Sequence, residues 1–229
     1  MELKVLELTT IWCSSSLDSL HFTPYLRCSS SLDSLHFTPY LSLPKIIEFP
    51  TEVQGQKAYA YFYPPFNHLY KATPGEKTPL LLESHGGPTS ESYGTLDLSI
   101  QYWTSRGWAF IDVNYGGSTG SIEKDSWATG ALLMSMTVAV VHDSCRKADG
   151  ERLCTTGRLA RGYTTLAALA FSRTFKAGSS LYGVVDLSLL KESKFESHYL
   201  DNLLGGEKNF YDRSPINFVE RFYFRVILL

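Results

Sequence analysis

From Lys45 onward, short apolar runs alternate with segments of helical spacing, and glycine or proline separates them. Lys57–Tyr63 (KAYAYFY) alternates and stops at Pro64-Pro65, as a strand does. Thr78–Ser84 (TPLLLES), Trp108–Tyr115 (WAFIDVNY), Arg152–Thr156 and Ala177–Tyr182 are further short strands, and Arg225–Leu229 (RVILL) begins another. Between them, Gly94–Arg106 places Leu96, Ile100 and Trp103 on one helical face and ends at Gly107. Gly162–Phe171 (GYTTLAALAF) is an Ala/Leu-rich helix, and Glu196–Leu204 carries a weaker helical pattern. Strands that alternate with helices predict an α/β fold: a mostly parallel sheet with helices on both faces.

The first 41 residues do not continue this pattern. Cys13–Leu26 reads CSSSLDSLHFTPYL, and Cys28–Leu41 repeats it identically after Arg27. Two copies of a 15-residue period make no solenoid, which needs at least three units to bury a core. An undiverged copy marks a recent duplication or a gene-assembly error. His21 and His36 are thus one residue written twice, not a metal pair.

Composition narrows the function. Lys plus Arg is 21 against 23 for Asp plus Glu, a net charge of −2, which argues against a basic nucleic-acid face or a polybasic membrane segment. The longest apolar stretch, Ala131–Val141, contains Ser135 and Thr137 and falls far short of the roughly 20 residues of a membrane span. The start, Met1-Glu2-Leu3-Lys4, opens no signal peptide. Cys13, Cys28, Cys145 and Cys154 form no C-x-x-C pair, and no histidines stand at zinc spacing. A cytoplasmic protein with reduced cysteines, no metal and no cofactor is expected.

Several segments in order carry a resemblance. They are SLPKIIEFPTE (Ser42–Glu52), HGGPTS (His85–Ser90), QYWTSRGWAFIDVNYGGSTG (Gln101–Gly120), GYTTLAALAF (Gly162–Phe171), AGSSLYGVVDLSLL (Ala177–Leu190), KFESHYLDNLLG (Lys194–Gly205) and RSPINFVERF (Arg213–Phe222). Together they resemble the plant acylamino-acid-releasing and dipeptidyl aminopeptidase branch of the prolyl oligopeptidase family. The resemblance implies a β-propeller followed by an α/β-hydrolase domain that cleaves peptides through a Ser–Asp–His triad. On this reading residues 1–41 hold the remnant of a last propeller strand, near Leu8–Trp12, with the duplicated segment. Residues 42–229 hold a truncated catalytic domain, an incomplete α/β-hydrolase fold.

The triad needs a serine on a sharp strand-to-helix turn, an imidazole to take its proton and a carboxylate to orient that imidazole. The family's elbow, G-G-S-A-G-G-Y, corresponds here to Gly157-Arg158-Leu159-Ala160-Arg161-Gly162-Tyr163. Leu159 therefore stands at the nucleophile position. Gly157, Ala160, Gly162 and Tyr163 remain of the elbow, and His85, Gly86, Gly87 and Pro88 remain of an active-site loop. Arg158 and Arg161 are bulky where glycines allow close approach, so the local turn is expected to differ from the family's. By the resemblance, the triad Asp and His lie beyond the strand that begins at Arg225. Gly117-Ser118-Thr119-Gly120 is followed by Ser121, where the family has an oxyanion tyrosine. No catalytic set is intact, and the chain is expected to be inactive; a peptide substrate belongs to its intact relatives.

Two other readings compete. Gly116-Gly117-Ser118-Thr119-Gly120 fits G-x-S-x-G after a strand, with Asp186 and His198 following in triad order, which would make an esterase-like site at Ser118. Against it, residues 121–125 are polar and start no helix, and a pattern this short recurs by chance among 17 glycines. The second is a non-catalytic pseudoenzyme that binds a partner, such as an intact homologue. His85 reads more simply as a buried histidine that satisfies loop carbonyls, and His198 as a surface or capping residue. Glu196 and Asp201, five apart, do not face each other on a helix.

Overall fold

A computed structural model of the chain describes residues 40–50, 57–86, 90–114, 148–192 and 207–228. The strands are β1 (Lys45–Pro50), β2 (Lys57–Tyr63), β3 (Thr78–Ser84), β4 (Ala109–Asn114), β5 (Ala148–Arg158), β6 (Ala177–Leu181) and β7 (Arg225–Leu228). The helices are α1 (Leu98–Thr104), α2 (Ala160–Phe171) and α3 (Glu207–Arg213), with 3-10 segments at Leu187–Glu192 and Pro215–Arg221.

All seven strands join one sheet in the order β1-β2-β4-β3-β5-β6-β7. β1 and β2 run antiparallel to their neighbours, and β4 through β7 continue in parallel with β3. From β3 the chain passes to β4 on one side; from β5 it passes to β6 on the other. The strand order thus reverses between β3 and β5. In sheets of this kind the crevice outside the carboxyl ends of such a pair is where ligands bind.

Strand alternation divides the core in two. Ala60, Phe62, Leu80, Leu82, Ile111, Val113 and Leu153 face one way and meet Ala168 and Leu169 of α2. Tyr63, Leu81 and Phe110 face the other way and meet Ile100 of α1. Helices therefore cover both faces, as the alternation of elements predicts. No helix among the described residues is long and apolar enough to cross a membrane.

Helix α1 is shorter than the 94–106 span its periodicity predicts. Asp97 caps it: its carboxylate accepts from the Ser99 amide at 2.7 Å and the Ser99 hydroxyl at 2.6 Å. Upstream, Gly94 lies flat against the Tyr61 ring, where an added Cβ would approach Cε1 to 2.9 Å. Gly107, at φ +88°, ends the helix, and the Trp108 amide reaches back to the Trp103 carbonyl at 3.2 Å. That reversal sets the two indoles edge to face, with centroids 5.4 Å apart.

Other boundaries moved outward. β5 has 11 residues, because its first half runs on beside β3 after an irregularity between Thr78 and Leu80. α2 begins two residues before Gly162, at Ala160. β1, α3 and both 3-10 segments were not foreseen as elements. The helix predicted at 196–204 and the duplicated segment lie outside the described residues, apart from Tyr40 and Leu41 at the end of its second copy.

Candidate active site

The carboxyl ends of β3 and β5 carry the two segments singled out in the sequence. Residues 157–163 form a tight strand-to-helix turn. Leu159 sits at its apex with φ 54° and ψ −119°. Its amide donates to the Leu181 carbonyl, and its carbonyl accepts from the Tyr163 amide, both at 3.0 Å. A positive φ costs a bulky residue about 1–2 kcal/mol. The side chain recovers none of that by burial, being 66% exposed. The expected departure of this turn is therefore corrected: the sharp, strained form that holds a nucleophile outward is present.

Glycines explain why the turn survives two arginines. A Cβ on Gly162 would lie 2.6 Å from the Gly183 Cα and 2.8 Å from the Ser180 hydroxyl oxygen. A Cβ on Gly157 would run into the Arg161 backbone. Ser180 donates to the Gly162 carbonyl at 3.1 Å. The crossings of α2 over β5 and β6 are made at these glycines, whereas Arg161 directs its guanidinium to Glu83.

Arg161 turns across the loop after β3. Its guanidinium donates to the Glu83 carboxylate at 2.6 Å. Its Nε stands 3.3 Å from where a Gly86 Cβ would be, so it lies over that residue. Glu83 and Asp112 are register partners on parallel strands. Burial pushes both carboxyls up. Arg161 offsets only part of that at Glu83, which stays raised; at Asp112 burial wins over the Ser92 hydrogen bond and the value reaches about 7. The Ser92 hydroxyl donates to Asp112 at 2.5 Å, its amide donates to the Asn114 side-chain oxygen at 2.6 Å, and the Asn114 amide returns a bond to the Ser92 carbonyl. The space over β3 and β4 is thus filled by a polar layer tied to the elbow through Arg161.

The remaining candidates separate. His85 is buried, and its Nδ1 lies 3.3 Å from the Gly86 carbonyl, to which it can only donate. Gly87 and Pro88 lie outside the described residues. Ala160 is the exposed first residue of α2. Tyr163 donates to the Arg213 carbonyl at 3.0 Å, and burial pushes its phenol up to about 12. Of the set Ser118, Asp186 and His198, only Asp186 is described. Its carboxylate accepts from the Ser188 hydroxyl at 2.6 Å and the Ser188 amide at 2.9 Å, which holds it below the usual carboxylate range. Among the described residues, no group of three or more His, Cys, Asp or Glu is placed to hold a metal. The reading missed Glu83 and Asp112, although an acid near the end of each of two apolar strands, LLLES and AFIDVN, was the available signal.

A mostly parallel sheet whose reversal point carries a strained strand-to-helix turn defines the α/β-hydrolase class of architecture. The sequence model described as the prolyl oligopeptidase family matches residues 95–229. The chain belongs to the prolyl oligopeptidase family. Among solved structures it is similar to a Mycobacterium tuberculosis puromycin-hydrolyzing peptidase, with 36% identity and a TM-score of 0.79 over 83% of this chain and 31% of that one. A puromycin hydrolase gives 32% identity and a TM-score of 0.77 over the same shares. Pyrococcus horikoshii acylaminoacyl peptidase shares the fold, with 23% identity and a TM-score of 0.71 over 82% of this chain and 31% of that one. The chain thus spans about a third of the length of these relatives. No curated protein sequence matches it.

Proposed function

We propose that this chain descends from serine peptidases and does not itself hydrolyse peptide bonds at the elbow. The observation that carries this reading is Leu159 at the apex of the strained turn. Acyl transfer needs an oxygen or sulfur nucleophile there, and an alkyl side chain offers no lone pair for any base to activate. Arg161 supports the same reading, because its guanidinium and the Glu83 carboxylate lie across Gly86, on the wall of the crevice. A fluorophosphonate probe tests it. No covalent labelling of the purified chain is expected, and stoichiometric labelling overturns the proposal. If labelling vanishes in Ser118→Ala, the esterase-like alternative takes its place.

A second reading, a peptide- or partner-binding pseudoenzyme, draws on a different observation. Leu159 and Tyr182 both adopt positive φ and are 66% and 76% exposed, presenting large apolar groups at the same end of the sheet. Strain and exposed apolar area together are features of binding surfaces. An extended peptide, or an intact homologue, would be the partner. Saturable binding that Leu159→Ala weakens supports this reading; a monomer that retains no peptide or homologue overturns it.

A further inference from the structure

The end of the sheet opposite the elbow holds an open cavity of about 220 Å3 between the last turn of α2 and the segment before β7. Ala170, Phe171, Ser172, Arg173, Arg221 and Tyr223 line it. Two lining residues are cations, and none is an acid. Both cations lie over aromatic rings: Arg221 is 4.3 Å from the Phe218 centroid and 5.8 Å from that of Phe171, and Arg173 is 4.9 Å from that of Tyr223. A guanidinium held over a ring is attracted by the ring's negative face and still has N–H groups to offer a ligand.

The surroundings reinforce the sign of charge. Lys176 lies just before β6, and the exposed Arg225 is the first residue of β7. Two acids stand against them: Glu151, 3.2 Å from the Lys176 ammonium, and Glu220, which is 3.9 Å from Arg221 and 72% exposed. The Ser172 hydroxyl donates to Thr174 at 2.8 Å, so the charged donors that a ligand would meet are the two guanidinium groups.

We propose that this cavity binds a tetrahedral oxyanion, a phosphate or phosphate monoester, between Arg173 and Arg221. Two planar forks from separate segments suit a group with three or more acceptor oxygens, where a carboxylate would engage only one fork. The site is independent of chemistry at the elbow.

The full chain is titrated calorimetrically in 0.15 M NaCl with inorganic phosphate, with a phosphoserine peptide and with the same peptide unphosphorylated. Saturable phosphate binding with a Kd tighter than about 1 mM is expected. Arg173→Gln and Arg221→Gln should each weaken it at least about tenfold, and Arg221→Lys should do nearly as much by losing the fork. Both arginines are exposed, so the far-UV circular dichroism of the variants should match the parent. A phosphopeptide that binds about tenfold tighter than phosphate identifies a phosphorylated side chain as the source; equal affinities identify the free ion. No saturable heat with either phosphorylated ligand, or unchanged binding in both glutamine variants, overturns the proposal. So does equal binding of the unphosphorylated peptide.

Discussion

Helix α2 lives under two regimes along its 12 residues. From Thr164 to Ala170 every residue is buried, and the apolar positions pack into the face shared with Leu80, Leu82 and Leu153. Over the turn that precedes it and its first residues, Leu159 is strained and exposed and Arg161 reaches away to Glu83. Packing in the body depends on volume and is intolerant of change. The turn depends on backbone approach at a few glycines. Shape and chemistry are thus written on different residues of a single element.

That contrast can be broken from either side. Leu169→Ala in the buried body should cost about 2–5 kcal/mol in urea unfolding; a cost under 1 kcal/mol would mean the body is loosely packed. Gly162→Ala should cost about 1–3 kcal/mol even though alanine favours helices, because the added methyl meets the Gly183 backbone. A gain in stability there would show that the crossing is wider than described.

The polar layer between the two regimes gives a pH signature. Asp112 titrates near 7 in the folded chain against an ordinary value of 3.8. The folded state therefore holds a proton that the unfolded state releases. Its contribution is complete below about pH 4 and is lost as the pH rises through 7, with a slope approaching about 1.4 kcal/mol per pH unit. Asp112→Asn should flatten that slope, and Glu83, shifted in the same direction, should account for what remains. A stability curve unchanged by the substitution would remove Asp112 from this role. The smallest effect belongs to the apex. Leu159→Gly should stabilise by about 1 kcal/mol, since glycine accepts positive φ and little burial is lost. Destabilisation would mean that the exposed leucine makes contacts that outweigh its strain.

The sheet was legible wherever an apolar run was bounded by punctuation. The strands at 57–63 and 78–84 were read to the residue because Pro64 and Gly86 close them. β1 escaped notice because only Phe49 of its six residues is fully buried, so its alternation is faint. The site was half legible. Leu159 at the apex followed from its neighbours, but the direction of Arg161 did not, because its partner Glu83 is 78 residues away. No local pattern encodes an ion pair across that separation. The retained turn was misjudged for a related reason. The size of Arg158 and Arg161 at their own positions predicts a different turn, while the crossing is decided by Gly157, Gly162 and Gly183.

The Gly107 reversal equips the molecule with its own optical gauge. Two indoles held edge to face at 5.4 Å couple their transitions and share quenching, and both rings border the α1 face of the sheet. Loss of that pairing alters the near-ultraviolet spectrum before the strands need separate. An acid-to-neutral titration followed at the tryptophan bands and, in parallel, at the peptide bands would therefore show whether the polar layer loosens α1 alone or takes the sheet with it.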